Sequence, residues 1–308
     1  MPGWLAEIRF PAFDPVLFDL PGPIDIRWYG LAYICGFLLG HRILIRLARR
    51  GFLPLDAEGV GDLLVWLVVG VMAGGRIGYA LFYDQSLLSP PWRLFMVWTG
   101  GMSFHGGLLG VCAAFLWFAR SRGIPRLRLG DALALAVTPG LFFGRLANFI
   151  NGELYGRITD ASVPWAMRFP TDPKAVSLLG LARLDKRGQE LRILEAFQGG
   201  EWDRIKMQVP LRHPSQLYQG LTEGLLLGLC LWVAFRLTRG APRSRGLFSG
   251  LFLIGYGAFR FGTEFFRQPD AQLGFVLGPF TRGQELCFLM ILAGLALLVL
   301  GARGRKAA

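Results

Sequence analysis

Long apolar runs dominate the chain. Seven of them stand out, at Trp28–Leu47, Asp62–Phe82, Phe95–Phe118, Asp131–Ile150, Gln216–Phe235, Leu247–Phe266 and Gln284–Gly301. A helix rising about 1.5 Å per residue needs about 20 apolar residues to cross a hydrocarbon core of about 30 Å. Several runs meet that length, so the pattern predicts an all-α polytopic membrane protein with seven transmembrane helices. Residues 151–212 break the pattern. They mix charge with Gly and Pro, include a polar stretch from Arg183 to Asp203, and are too long for a simple turn. This stretch reads as an outward-facing head of undefined secondary structure, inserted within a single membrane-embedded domain spanning 1–308. No internal repeat, heptad or low-complexity tract is visible, nor the inverted repeat of many transporters.

Charge fixes which way the runs point. Basic residues cluster after the first run (Arg42, Arg46, Arg49, Arg50), the third (Arg120, Arg122, Arg126, Arg128), the fifth (Arg236, Arg239, Arg243, Arg245) and the seventh (Arg303, Arg305, Lys306). With seven crossings all four clusters share one side, and the positive-inside rule makes that side cytoplasmic. The N-terminus then lies outside and the C-terminus inside, while an eighth crossing would destroy the pattern. Composition agrees with this class. Hydrophobic residues make up 53% of the 308 and charged residues only 18%, against about 25% in an average soluble domain. A net charge of +12 invites a nucleic-acid reading, but it sits at the ends of apolar runs, where it serves topology and contact with anionic lipid. No basic, aromatic-interleaved soluble domain accompanies it, so nucleic-acid binding is excluded.

The proline-rich start, Met1 to Pro23, lacks a basic leader followed by an apolar core and is not read as a cleavable signal peptide. Cys35, Cys112, Cys230 and Cys287 lie in separate apolar runs without paired spacing. They read as small buried hydrophobes rather than as a disulfide framework or metal site.

Ionisable residues at membrane depth cost about 2.5–3.5 kcal/mol each on insertion scales, so each marks a functional or pairing site. Arg76, His105, Arg145, Glu153, Tyr256, Arg260 and Glu264 stand out on this criterion, and the topology places them all in the outer half of the membrane. Arg260 and Glu264 are four apart and share a helix face with Tyr256, one turn earlier; Arg145 and Asn148 likewise share a face. Two arginines near the outer interface suit a phosphate, because the guanidinium is permanently charged and presents a planar fork. No G-x-x-x-x-G-K-[ST] loop is present, so the natural phosphate is a lipid headgroup. Blander readings stand beside these. Arg260–Glu264 also fits a structural ion pair, Arg76 a snorkelling side chain, and His105 a helix–helix hydrogen bond. His213 reads as a loop or helix-entrance residue, and His41 as interfacial.

Four polar motifs carry a family resemblance. His105–Gly107 (HGG), Gly144–Arg157 (GRLANFINGELYGR), His213–Tyr218 (HPSQLY) and Phe259–Gly274 (FRFGTEFFRQPDAQLG) together resemble the bacterial prolipoprotein diacylglyceryl transferases. Arg27–Gly36 (RWYGLAYICG) resembles that family's first helix. The resemblance runs from about Asp25 to Gly301 in the family's order, with an unusually long segment at Ala175–Asp203 and Leu146–Ala147 where a glycine is more usual.

It implies transfer of an sn-1,2-diacylglyceryl group from phosphatidylglycerol to the lipobox cysteine thiol in a prolipoprotein signal peptide. Glycerol phosphate leaves and a thioether forms, at the outer face of the bacterial plasma (inner) membrane, as the first step of lipoprotein maturation. By resemblance the essential residues are Tyr29, His105, Arg145, Asn148, Glu153, Gly156, Tyr256, Arg260 and Glu264. Expected partners are phosphatidylglycerol, the precursor peptide and membrane lipids; no cofactor or metal is implied, and a monomer is expected.

Because the substrate brings the nucleophilic thiol, the enzyme must supply positioning, a proton acceptor and stabilisation of the departing phosphate. Arg145 and Arg260 are the candidates for the phosphate, with Glu264 orienting Arg260. Tyr29, Asn148, Glu153, Gly156 and Tyr256 are candidates for holding substrate. His105 is read either as the base or as a hydrogen-bond donor to the headgroup, with the thiol ionising under arginine influence. Two other classes fit less well. A transporter should line a path through both halves of the membrane, and a CDP-alcohol transferase should carry a D-x-x-D-G metal site, which does not occur.

Overall fold

The computed structural model describes residues 8–20, 25–238, 246–268, 275–277 and 280–306, and is mostly helical. The first five helices are α1 (Trp28–Arg49), α2 (Ala57–Phe82), α3 (Phe104–Ser121), α4 (Arg126–Ala136) and α5 (Thr138–Ile150). The head contributes α6 (Pro173–Leu178), α7 (Lys186–Gln198) and α8 (Glu201–Ile205). Beyond it, α9 (Ser215–Gln219) runs through a π-helical turn at Gly220–Leu226 into α10 (Leu227–Leu237). The last two are α11 (Leu247–Thr263) and α12 (Arg282–Lys306). Arg239, Arg243, Arg245 and the motif end Pro269–Gly274 lie outside the described residues.

Among the described residues four helical stretches are long and apolar enough to cross a membrane: α1, α2, Ser215–Leu237 and Arg282–Ala302. The pair α4–α5 makes a fifth if its 41° bend lies within one span. The chain is therefore a polytopic helical membrane protein. Two expected spans differ from the sequence reading. The third was expected from Phe95, but 3-10 turns at Gln85–Leu88, Pro91–Phe95 and Val97–Thr99 precede α3, which Ser103 caps at Phe104. Gly100 and Gly101, at φ +81° and +83°, keep the residues from Phe95 onward out of one continuous helix. The fourth span, expected as one helix from Asp131, is split because Pro139 cannot donate to the α4 ladder. At 18 and 17 residues, α3 and α11 lie at the short end of the lengths that can cross a bilayer.

The apolar core gathers at one pole. Leu44 and Leu47 end α1, Val60 and Leu63 begin α2, Phe118 and Ala119 end α3, Leu129 and Ala132 lie in α4, Phe235 ends α10 and Phe248 begins α11. Successive helices thus run antiparallel, their ends meeting around Phe52 and Leu53. Asp131, fully buried here, accepts from the amides of Gly246 (2.9 Å) and Ser249 (2.7 Å) and so caps α11. Arg128 donates to the carbonyls of Gly51 (2.6 Å) and Phe52 (2.5 Å), tying α4 to the turn between α1 and α2.

Small residues let helices approach closely. A Cβ at Gly110 of α3 would lie 2.0 Å from the Gly70 carbonyl of α2, and one at Gly74 would lie 2.4 Å from the Gly106 carbonyl. The α11–α12 pair is similar, a Cβ at Gly294 falling 2.7 Å from the Gly250 carbonyl. Such contacts replace the hydrophobic drive that lipid removes. Outward faces carry exposed Val65, Leu109, Trp232 and Leu289, as lipid contact requires. The cysteines correct an expectation: only Cys287 is buried, Cys35 is half-buried, and Cys112 and Cys230 are exposed. An apolar thiol can face hydrocarbon without loss. All four are free.

In the head, α6, α7 and α8 enclose small cores, with Phe197 stacked on Trp202 at 4.8 Å. Arg187 of α7 pairs with Asp14 (2.7 Å) and Asp19 (3.2 Å), and Arg27 pairs with Glu190 (2.7 Å), which fastens the segment before α1 to α7.

Gly110→Val should drive a branched side chain into the α2 backbone, costing about 1–3 kcal/mol. The thermal unfolding midpoint in detergent is expected to fall, whereas Gly61→Ala, which meets nothing within 4 Å, should leave it unchanged.

Candidate functional site

The other pole is polar, and three of the sequence motifs meet there. After α5 the chain turns through Asn151, Gly152 (φ +64°) and Leu154 (φ +58°). This turn is locked from within, because Asn148 and Asn151 donate their side-chain amides to Glu153 Oε1 at 3.1 and 3.3 Å. It is locked from outside by Gln216, which donates to the Glu153 carbonyl at 2.7 Å, and by Ser215, which donates to that of Leu154 at 3.1 Å. The Gly156 amide then donates to the His213 carbonyl (2.8 Å) and the Arg157 amide to that of Phe266 (2.8 Å). A Cβ at Gly156 would lie 2.3 Å from the Phe266 carbonyl oxygen and 2.8 Å from His213, so only glycine lets the three strands pass. Arg212, paired with Asp172, donates to the Gly156 carbonyl at 3.2 Å from behind.

Below this crossing lies a network of buried charge. Arg145 of α5 approaches Glu223 at 3.7 Å, and Arg260 of α11 approaches the same carboxyl at 3.9 Å. Arg260 also meets Glu264 at 3.0 Å, as the four-residue spacing predicts, and Arg267 meets Glu264 at 3.8 Å. Thr263 donates to Glu223 (3.2 Å) and Thr281 to Glu264 (3.2 Å). Glu223 and Glu264 are almost inaccessible, whereas the Arg145 side chain keeps 22% of its surface. Among the described residues the most accessible member of this network is a cation, Arg145. An exposed guanidinium at the edge of buried charge suits an anion entering from that side. Tyr256 lies within electrostatic reach of Glu223, Arg260 and Arg145.

The expected residues separate into three groups. Arg145, Tyr256, Arg260 and Glu264 share this network. Tyr29, in the first turn of α1, contacts Tyr33 (hydroxyls 3.3 Å apart) and the Asn148 side chain near Glu153, so Tyr29, Asn148 and Glu153 form a second patch beside it. Gly156 belongs to the crossing above. His105 stands apart, exposed on the first turn of α3, with no hydrogen bond or ion pair to its imidazole among the described residues. His213 precedes α9, as expected for a helix-entrance residue, with Nδ1 3.1 Å from the Tyr218 hydroxyl. Burial holds its imidazole below the ordinary value against the pull of Asp160. Arg76 does not snorkel: it is buried and donates to loop carbonyls.

Glu223 escaped the sequence reading. It is an acid in the middle of an apolar run, the signal that singled out Arg260. The π-helical turn that carries it fits a pattern in which one-turn π segments sit at functional sites. Gln216 and Gln219 of α9, which runs into this turn, are also buried; Gln216 lies within the HPSQLY motif, but neither was singled out as a site residue.

Comparisons with known proteins agree among themselves. The family model described as "Prolipoprotein diacylglyceryl transferase" matches residues 15–300. A phosphatidylglycerol–prolipoprotein diacylglyceryl transferase of Azospirillum brasilense is 47% identical over 305 residues, covering 99% of this chain and 100% of its own. Proteins of the same name from Yersinia enterocolitica and Bradyrhizobium diazoefficiens are 45% and 43% identical, covering 95% and 96% of this chain and 94% of their own length in each case.

Two substitutions probe the geometry. Glu223→Gln keeps size and hydrogen bonding but removes the charge shared by two arginines, and transfer is expected to fall on the order of 10-fold or more while the folded protein persists; full activity would show that the arginines need no shared counter-charge. Gly156→Ala should abolish most activity and lower thermal stability together, since the clash is with backbone.

Proposed function

The chain belongs to the prolipoprotein diacylglyceryl transferase family, and on that footing we propose how its residues carry the reaction. It transfers the diacylglyceryl group of phosphatidylglycerol to the cysteine thiol of a prolipoprotein, the first step of lipoprotein maturation. The observation that carries the site reading is the pair Arg145 and Arg260 held on one buried carboxyl, Glu223.

The lipid phosphate sits against Arg145 and Arg260. The substrate thiolate attacks the glycerol carbon bearing the phosphate; a sulfur–carbon bond forms, the carbon–oxygen bond to phosphate breaks, and glycerol phosphate leaves with the electron pair. Charge grows on the departing phosphate, where preorganised guanidiniums stabilise the transition state more than the ground state. Glu264 and Glu223 fix Arg260 between them, so the fork need not reorganise as the charge develops. Tyr29, Asn148 and Glu153 hold the headgroup or the peptide, and Tyr256 lines the arginine side. His105 takes the thiol proton. Its imidazole is exposed, meets the Phe104 ring edge-on, and has no hydrogen bond among the described residues, which leaves its nitrogens open to a substrate arriving from the membrane.

The seven-crossing topology belongs to the same proposal, with the N-terminus outside, residues 151–212 as an extracytoplasmic head within one domain, and the site at the outer face of the plasma (inner) membrane. It is supported by the apolar pole, where the ends of α1, α3 and α10 gather with their arginines. The enzyme works as a monomer without metal or cofactor.

Purified protein should move labelled lipid from phosphatidylglycerol to a lipobox peptide; the absence of a thioether product would reject the activity. In the same assay Arg145→Lys and Arg260→Lys should each lose on the order of 10²-fold, because a point charge cannot replace the fork. Near-normal transfer by His105→Asn at neutral pH would remove His105 as the base.

A further inference from the structure

Arg76 lies late in α2 and is only 3% exposed. Its charge meets no carboxylate among the described ion pairs. The guanidinium donates instead to the carbonyls of Arg93 (2.9 Å), Leu94 (3.2 Å), Met96 (3.0 Å), Gly101 (3.1 Å) and Gly100, and to the Thr99 hydroxyl (3.2 Å). Every acceptor belongs to the loop between α2 and α3. Five N–H groups in a planar fork suit such a cluster, whereas the three donors of an ammonium do not.

Trp92 and Phe95 of the loop and Phe104 at the start of α3 expose 66%, 78% and 79% of their surface, so little packing besides Arg76 holds this stretch. Its own backbone is bent around Arg76: Gly100 and Gly101 take positive φ, and a Cβ at Gly101 would fall 2.6 Å from the Tyr79 ring and 3.1 Å from Arg76 Nη1. The loop then delivers Ser103, whose amide donates to the Gly75 carbonyl (2.9 Å) and whose hydroxyl accepts from the Gly106 amide (3.2 Å) to start α3. His105 is two residues further on, in that first turn.

We propose that Arg76 is a positioning residue for the transfer reaction: by gathering the carbonyls of residues 93–101 it sets the start of α3 and so the place of His105. This rests on the reading of His105 as the proton acceptor. Arg76 touches neither substrate nor the arginine network; it acts through the loop.

The test uses the full-length enzyme in phosphatidylglycerol nanodiscs, comparing Arg76→Lys with wild type, alone and combined with His105→Gln. Turnover of Arg76→Lys is expected to fall at least about 10-fold with KM for phosphatidylglycerol within about twofold, the mark of a geometry needed in the transition state. Trypsin should newly cut after Arg93, and the unfolding midpoint should stay close to wild type. In the His105→Gln background the same substitution should cause no further loss, because both changes act through one group. Wild-type turnover, an uncut loop, or losses that multiply in the double variant would each overturn the proposal. Full activity of His105→Gln alone would instead defeat the reading of His105, and the proteolysis arm would still decide whether Arg76 holds the loop.

Discussion

A carboxyl group with almost no access to solvent, Glu223, sits between two arginines from different helices, and much of the molecule is arranged so that this can be stable. An unpaired charge at that depth would cost several kcal/mol. Arg145 and Arg260 offset the cost for Glu223, Arg260 is shared with Glu264, and Glu264 in turn meets Arg267 and Thr281. No member could be removed without stranding another. The network therefore requires α5, the π-helical turn before α10, α11 and the start of α12 to stay in register.

That register is imposed from the opposite pole. Leu44, Leu63, Phe118, Leu129, Phe235 and Phe248 close an apolar core around the arginine-bearing helix ends. Asp131 caps α11 there, setting the helix whose other end carries Arg260 and Glu264. One pole thus supplies packing and the other gathers the buried charge. The α2–α3 hairpin, welded by Gly70, Gly74, Gly106 and Gly110, carries His105 on its own rigid support rather than on the arginine network. A reaction that joins a lipid to an exported peptide needs two such supports facing a shared space.

Much of this was legible in the chain. Apolar length gave the membrane class, and the spacing of Arg260 and Glu264 gave their ion pair, because both depend on local geometry. Helix breaks were harder: Pro139 and the Gly100–Gly101 pair interrupt runs that read as single helices by apolar length. Cys112 and Cys230 were misjudged because apolar residues in a membrane protein face lipid as readily as core. Glu223 was visible as an acid in an apolar run, but its partners come from α5 and α11, far away in sequence. The fork of Arg76 was invisible for a related reason: its acceptors are backbone carbonyls, which no side-chain pattern announces.

The central claim is that the arginine pair on Glu223 is where the lipid phosphate binds. An experimental structure of the enzyme in phosphatidylglycerol nanodiscs, without peptide, tests it most directly. The account predicts a headgroup phosphate within hydrogen-bonding distance, about 2.7–3.2 Å, of both Arg145 and Arg260. A phosphate bound elsewhere, with both guanidiniums still engaged only by Glu223 and Glu264, would contradict it.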